Sequence, residues 1–162
     1  MQQHTAIILL ANYLTFQSTA YGNGLCFSLG GRIGVSESTA ISDDGYSTPG
    51  MVVFNSSTQQ WYNVSADGVS SGGTALNGAA HFVPAFGPEG LLLVLGGTPS
   101  APPTYFPFDD IPIYDPQSRQ WSSQRASGQI PPSREVGCVV GVEGNNTYEV
   151  GLIFSKALYA LY

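Results

Sequence analysis

Apolar residues occur along this chain in short runs separated by turns rich in glycine, proline and serine, a pattern typical of β-strands. The second half of the chain shows it best. Apolar runs at 79–86 and Leu91–Leu95 flank a Gly-Pro-Glu-Gly turn, and Ile111–Tyr114 precedes an Asp-Pro-Gln-Ser turn and a strand that begins at Gln120. Because Leu91–Leu95 is apolar throughout, it predicts a strand buried on both faces. The pattern predicts four strands in this region.

The same succession of residues occurs twice. An apolar run ends in Leu-Gly-Gly, a polar loop follows, and an aromatic residue then stands seven positions before a tryptophan. The two copies are Gly30 and Gly31 with Phe54 and Trp61, and Gly96 and Gly97 with Tyr114 and Trp121. A repeat at this period indicates an array of similar supersecondary units. We expect each glycine pair to adopt positive φ or to lie close to neighbouring backbone.

The spacing of the two aromatic residues predicts how they meet. If a hairpin turn is centred midway between them, Phe54 lies opposite Trp61 and Tyr114 lies opposite Trp121. An aromatic pair on one face of a sheet needs a surface to pack against, and a neighbouring four-stranded sheet provides one. We therefore expect these rings to form a core between sheets rather than a platform for a ligand.

The repeated unit resembles the kelch repeat of β-propellers. It has four strands, a glycine pair after the second strand and an aromatic pair across the third and fourth. Its sequence is similar to that of kelch proteins from filamentous fungi. Residues 109–116 are similar to the kelch third strand, and 131–134 (Pro-Pro-Ser-Arg) to the segment that opens a blade. The resemblance implies an all-β, kelch-type β-propeller with four-stranded antiparallel blades. Residues 1–68 would form a first blade, 69–128 a second, 129–150 the start of a third, and 151–162 a tail outside the repeat.

The chain departs from the kelch pattern in two respects. The tryptophans are 60 residues apart, compared with about 50 for a kelch unit, which enlarges the loops 32–50 and 98–110 between second and third strands. A closed propeller needs about four to eight blades, so this ring would be incomplete and the chain a fragment or a truncated product. We expect its open blade faces to favour self-association.

The N-terminal apolar run Ala6–Leu14 has two interpretations. It could be the core of a secretory signal, although no positive region precedes it and it contains Asn12. Alternatively, a shift of 66 residues superposes both glycine pairs and places Phe16 on Phe82, which would make the run the first strand of the first blade. No apolar run reaches the 18 or so residues that a membrane span needs.

Three Asn-x-Ser/Thr sequons slightly favour a secreted or membrane-associated full-length form over a cytoplasmic one, and the cellular location is otherwise unknown. Asn55 and Asn145 lie in predicted turns, where a glycan could be attached. Asn63 shares its strand face with Trp61, and we expect it to be hindered.

The inventory of reactive residues points away from catalysis. The chain has two histidines, His4 and His81, which are too few for a metal site. Its net charge of −6 does not favour binding to nucleic acid. His81 lies in an apolar strand, and we interpret it as a core or edge histidine. Cys26 and Cys138 also lie in apolar runs, so we expect buried free thiols, with a disulfide between them as the alternative.

No catalytic residue, cofactor or metal site is therefore predicted. No nucleophile-elbow or phosphate-binding motif occurs. The acidic pairs 43–44 and 109–110 are interpreted as solvated loops, with a weak Ca²⁺ site as the alternative for each.

The expected function is that of a non-catalytic module that binds a protein partner through its blade loops. The alternative is a remnant of a galactose-oxidase-like propeller enzyme. That resemblance would imply copper held by tyrosine and histidine, and the two histidines here match no such motif. A third interpretation is an unstable remnant without activity.

Overall fold

The computed structural model describes residues 14–15, 17–33, 46–99, 104–136, 138–145 and 147–153. Within these ranges the regular structure consists of β-strands and contains no helix. The strands are β1 (Leu14–Thr15), β2 (Ser18–Gly22), β3 (Leu25–Leu29), β4 (Arg32–Ile33), β5 (Tyr46–Ser47), β6 (Met51–Asn55), β7 (Gln60–Val64), β8 (Ala79–Val83), β9 (Leu91–Leu95), β10 (Asp110–Asp115), β11 (Gln120–Arg125), β12 (Cys138–Glu143) and β13 (Tyr148–Ile153).

The strands form antiparallel sheets in which neighbours in sequence are mostly neighbours in space. Sheet 1 has the order β2-β3-β6-β7, and sheet 2 has the order β8-β9-β10-β11. Strands β12 and β13 pair as sheet 3, and a small additional sheet has the order β1-β4-β5. The all-β architecture of open, four-stranded antiparallel sheets is the one predicted, and it is consistent with a partial β-propeller.

The first strand of sheet 1 is β2 rather than the apolar run Ala6–Leu14. Asn23 and Gly24, with φ of 47° and 74°, form the two-residue turn that joins β2 directly to β3. Such a turn matches the twist of the strands it connects, so it selects β2 as the partner of β3. Among the described residues, β2 therefore takes the place that the alternative interpretation gave to the run, as first strand of the first unit. Leu14 belongs to β1, and residues 6–13 lie outside the described residues.

The main core lies between sheets 1 and 2. Phe27 of β3 stacks on Phe82 of β8, with 5.9 Å between ring centroids, and meets Tyr114 of β10 edge-on at 6.3 Å. All three rings are buried. Aromatic rings in these offset and edge-to-face arrangements add to the stabilisation that their burial gives. The alternation of side chains along each strand supplies this face.

A second, smaller core lies between sheets 2 and 3. Leu95, Phe108 and Val136 are its buried members, and Val139 and Val150 pack against them from sheet 3. Each sheet thus packs face to face on the next one along the chain. Strand β13 extends to Ile153, which is three residues beyond the expected end of the third unit at residue 150.

The register of the hairpins agrees with the spacing argument. Tyr114 lies opposite Trp121 and Phe54 lies opposite Trp61, with ring centroids 5.1 and 4.5 Å apart. Tyr114 is fully buried against sheet 1, as a core residue should be. Phe54 and Trp61 are only half-buried, because no described sheet covers their face of sheet 1.

Candidate binding surface

The described parts of the long connections between strands lie together at one end of sheets 1 and 2. Strand direction alternates in an antiparallel sheet with sequential strand order. The connections after the second and fourth strands therefore leave from the same end of the strands. Hydrogen bonds between backbone groups tie these connections together across the sheets, from Gly31 to Ala75, from Thr98 to Leu76 and from Gly97 to Arg134. We call this the loop end; the opposite, turn end carries the tight turns.

The first glycine pair fixes the loop end of sheet 1 to the segment that opens sheet 2. Gly30 and Gly31 have φ of 60° and 103°, and the Gly31 N–H donates to the Ala75 carbonyl at 3.0 Å. A Cβ atom on Gly30 would lie 2.0 Å from that carbonyl oxygen. Both reasons for glycine, positive φ and close backbone approach, therefore apply here.

The second glycine pair repeats this arrangement between sheets 2 and 3. Gly96 and Gly97 have φ of 58° and 92°, and the Gly97 N–H donates to the Arg134 carbonyl at 3.0 Å. A Cβ atom on Gly96 would lie 2.7 Å from the same carbonyl oxygen. Arg134 belongs to the Pro-Pro-Ser-Arg segment that sequence analysis placed at the opening of a blade. The glycine pairs hold neighbouring sheets together at the loop end.

Two aromatic residues of the loop 98–110 are structural. Phe108 is buried in the second core, and Phe106 packs against the main core. The Phe106 N–H also donates to the Gly97 carbonyl at 2.8 Å, which holds the returning part of the loop against the glycine pair. Residues 100–103 of this loop, and 34–45 of the loop 32–50, lie outside the described residues.

A cleft of about 270 Å³ opens at the loop end between sheet 2 and the connection that follows β7 of sheet 1. We call it the Asp110 cleft. Its apolar walls are formed by Val69, Val94, Phe106, Pro107 and Pro112, and its polar lining side chains are Asp110 and Ser123. A second, apolar cavity of about 320 Å³ lies between sheet 2 and β13. It is lined by Leu93, Ile111, Ile130 and Val150, among others.

The acidic pair Asp109 and Asp110 is split by strand geometry. Asp110 begins β10 and lines the Asp110 cleft, whereas Asp109, the residue before it, does not line the cleft; both residues are exposed. The Asp109 backbone carbonyl accepts a hydrogen bond from the Ala126 N–H at 2.8 Å. The other acidic pair, 43–44, lies outside the described residues.

His81 is half-buried in β8, facing sheet 3. Its Nε2 atom lies 3.0 Å from the hydroxyl oxygen of Tyr148. Burial lowers the pKa of His81 below its ordinary value, because desolvation disfavours the charged imidazolium. This partner fits the interpretation of His81 as an edge histidine. His4 lies outside the described residues.

Both cysteines are free thiols, so the alternative of a disulfide between them is wrong. The expectation of burial is also wrong for Cys138, which is exposed, and Cys26 is only half-buried. Cys138 lies on the face of β12 that points away from sheet 2, together with the exposed Val140 and Val142. Apolar neighbours in sequence bury a thiol only when another sheet covers that face.

The three sequon asparagines differ in their surroundings. Asn55 is half-buried, and its Oδ1 atom accepts hydrogen bonds from the backbone N–H groups of Ser57 and Thr58 at 2.9 and 3.0 Å. Asn145 is exposed beside the turn between β12 and β13. Asn63, expected to be hindered, is exposed because no described sheet covers its face.

The described ranges contain neither a metal-binding cluster nor a membrane-spanning helix. No group of three or more His, Cys, Asp and Glu side chains there is placed to hold a metal ion. In the same part of the chain, no helix has the length and apolar character to cross a membrane.

Comparison with known proteins shows a similarity to a kelch protein. No protein-family model matches the chain. Over 93 residues the chain is 32% identical to a "Kelch repeat-containing protein" of Arthroderma benhamiae. The aligned region covers 54% of this chain and 14% of that relative. This similarity and the open, four-stranded antiparallel sheets together fit a kelch-type fold.

Proposed function

We propose that this chain forms part of a kelch-type β-propeller and acts as a non-catalytic module that binds another protein through its loop end. Sheets 1 and 2 would be two blades, and sheet 3 the start of a third. The similarity to the Kelch repeat-containing protein supports the repeat assignment. The function of that whole relative is not carried over, because the chain spans a small part of it.

The observation that carries the proposal is the convergence of long connections at the loop end. The glycine pairs tie each connection to the next sheet through backbone hydrogen bonds at 3.0 Å. The described parts of the loops are thereby held against the sheets, and the Asp110 cleft opens beside them. A rigid scaffold that presents varied loops is a common basis for specific recognition, since little conformational entropy is lost when the partner binds.

A pair of charge reversals at opposite ends of the molecule tests this proposal. Asp109→Lys changes an exposed carboxylate at the loop end, and Glu89→Lys makes the same change in an exposed turn at the turn end. Proteins captured from an extract of the source organism are quantified by mass spectrometry for the wild type and both variants. Circular dichroism checks that both variants fold.

We expect Asp109→Lys to reduce capture of specific partners about fivefold or more, as for loss of an interfacial charge contact, and Glu89→Lys to leave it unchanged. Equal capture by all three proteins would contradict binding at the loop end. Loss of the partners by Glu89→Lys alone would also contradict binding at the loop end.

Self-association is a second mode of interaction that one observation favours. On the outward face of β12, Val140 is 50% exposed and Val142 is 61% exposed. An uncovered apolar face of this kind tends to associate. Sedimentation velocity at increasing protein concentration tests this mode, and a purely monomeric protein would argue against it.

A further inference from the structure

We propose that the Asp110 cleft receives a basic side chain, lysine or arginine, from the partner protein, with its apolar stem in the cleft and its charge at Asp110. This inference rests on the proposed function, because it names the chemistry of the partner at the loop end. It follows from the shape of the cleft, the polarity of its walls and the position of one carboxylate.

The shape of the cleft comes from how the connection after β7 lies against sheet 2. At Gly68 this connection approaches β11 closely, since a Cβ atom there would lie 2.2 Å from the Cβ of Trp121. Two residues along β11 from this tryptophan, the same face carries the small side chain of Ser123. The close contact at Trp121 therefore holds the connection near the sheet, and the short serine leaves a gap beside it.

The walls of the gap suit an aliphatic stem. Val69 comes from the connection that follows β7, Val94 comes from β9, and Phe106 and Pro107 come from the loop before β10. A volume of about 270 Å³ is large enough for one long side chain. Lysine and arginine bury their methylene stems against apolar surface while the charged group keeps polar contacts.

Charge complementarity selects a cation as the occupant. Asp110 is the ionisable residue that lines the cleft, and the Ser123 hydroxyl adds a second acceptor. Asp67 precedes Gly68 in the opposite wall, and the chain carries a net charge of −6. A carboxylate with an apolar approach favours an ammonium or guanidinium group over an anion or a neutral group.

The basic residue nearest in register is Arg125, which lies opposite Asp110 in the pairing of β10 with β11. Its guanidinium would compete with an incoming cation for the carboxylate. The chain therefore provides an informative variant, Arg125→Gln. Its effect on cation binding should be opposite in sign to that of Asp110→Asn, which removes the carboxylate charge.

The test uses n-butylammonium as the probe, since it reproduces the end of a lysine side chain. Binding is followed by NMR from the methyl signals of Val69 and Val94 during titration in the millimolar range. n-Butanol serves as the uncharged probe of the same length. Asp110→Asn removes the proposed charge, and Asp109→Asn, at the neighbouring exposed carboxylate, is the matched control.

We expect n-butylammonium, and not n-butanol at the same concentration, to shift both valine signals. Asp110→Asn should weaken the binding about fivefold, the effect of losing a partly exposed ion pair. Asp109→Asn should change it less than twofold by the same reasoning, and Arg125→Gln should strengthen it. No shift at Val69 and Val94, equal shifts with n-butanol, or unchanged binding by Asp110→Asn would each overturn the inference.

The titration tests the basic-side-chain inference, and the capture experiment separately tests the proposed binding module. If capture depends on the loop end but n-butylammonium does not bind the cleft, the basic-side-chain inference is wrong and the binding module stands. If the cation binds as expected but capture is insensitive to Asp109→Lys, the cleft is a cation site and the proposed module is wrong.

Discussion

Replacing Gly30 by alanine should destabilise the protein much more than the same replacement at Gly128. Both glycines have positive φ, of 60° and 84°. A Cβ atom on Gly30 would lie 2.0 Å from the Ala75 carbonyl oxygen, whereas a Cβ atom on Gly128 would meet nothing within 4 Å. The pair of variants therefore separates the cost of the backbone conformation from the cost of close approach between sheets.

The size of the difference follows from the contacts at Gly30. Alanine at positive φ costs about 1–2 kcal/mol, and this cost is common to both variants. At Gly30 the Ala75 carbonyl must also move, which breaks its hydrogen bond of 3.0 Å with the Gly31 N–H. Both groups are buried, and an unpaired buried group costs about 1–3 kcal/mol. We expect about 2–5 kcal/mol for Gly30→Ala and about 1–2 kcal/mol for Gly128→Ala.

Urea denaturation followed by tryptophan fluorescence measures both values. With a slope of about 2 kcal/mol/M, the midpoint should fall by about 1–2.5 M for Gly30→Ala and by about 0.5–1 M for Gly128→Ala. If Gly30→Ala does not accumulate as folded protein while Gly128→Ala does, the same order of stability is established. Equal midpoints for the two variants would refute the close-approach argument.

Three other substitutions address single groups, each followed by urea denaturation. Trp121→Phe removes the indole N–H that donates to the Ser65 carbonyl at 2.6 Å, so it should cost about 1 kcal/mol beyond the lost ring area, and no loss would show that this bond does not stabilise the fold. Tyr114→Phe should be neutral or stabilising at pH 7, since the buried hydroxyl has no hydrogen-bond partner among the described residues. Burial raises the pKa of Tyr114 from 10.0 to about 12, so the unfolded phenol ionises first, and wild-type stability should fall between pH 10 and 12 more steeply than that of this variant. Burial lowers the pKa of His81 from 6.5, so the unfolded chain binds the proton more readily, and wild-type stability should fall as the pH drops below 6.5. His81→Gln should weaken this dependence, and an unchanged acid profile would show that His81 does not cause it.

Local spacing explains why much of sheet 2 could be predicted from the sequence. Strand β9 has the predicted bounds, Leu91–Leu95, because its apolar run lies between residues that break a strand. The opposition of Tyr114 and Trp121 follows from the length of the turn between them, which fixes the register of the hairpin. Both features depend on neighbours in sequence, so no knowledge of the other sheets was needed.

Strand β2 was missed although the sequence contains its signal. Its residues, Ser-Thr-Ala-Tyr-Gly, are less apolar than the run that precedes them, so an apolar-run criterion selects the wrong segment. The Asn23-Gly24 dipeptide that follows is the strongest short-range sign of a hairpin. The turn, rather than the hydrophobicity of the strand, therefore marks the position of β2.

The candidate site could not be predicted because its contacts join distant parts of the chain. The approach of Gly68 to Trp121 and the burial of Phe108 beside Val136 depend on how the sheets stack. Periodicity along one strand gives no information on such contacts. The sequence marks the acidic pair at 109–110. The place of Asp110 in a cleft, however, depends on Val69, which lies in the connection between β7 and β8.

The two copies of the aromatic motif show that pairing and burial have different origins. In both hairpins the rings meet across the strands, at 4.5 Å for Phe54 and Trp61 and at 5.1 Å for Tyr114 and Trp121. Pairing is thus encoded within each hairpin. Tyr114 is fully buried because sheet 1 covers it, while the equivalent Phe54 has no described sheet on its face and stays half-buried. In an array whose units contact only their neighbours, the stabilisation that a motif provides is set by the adjacent unit as well as by its own residues.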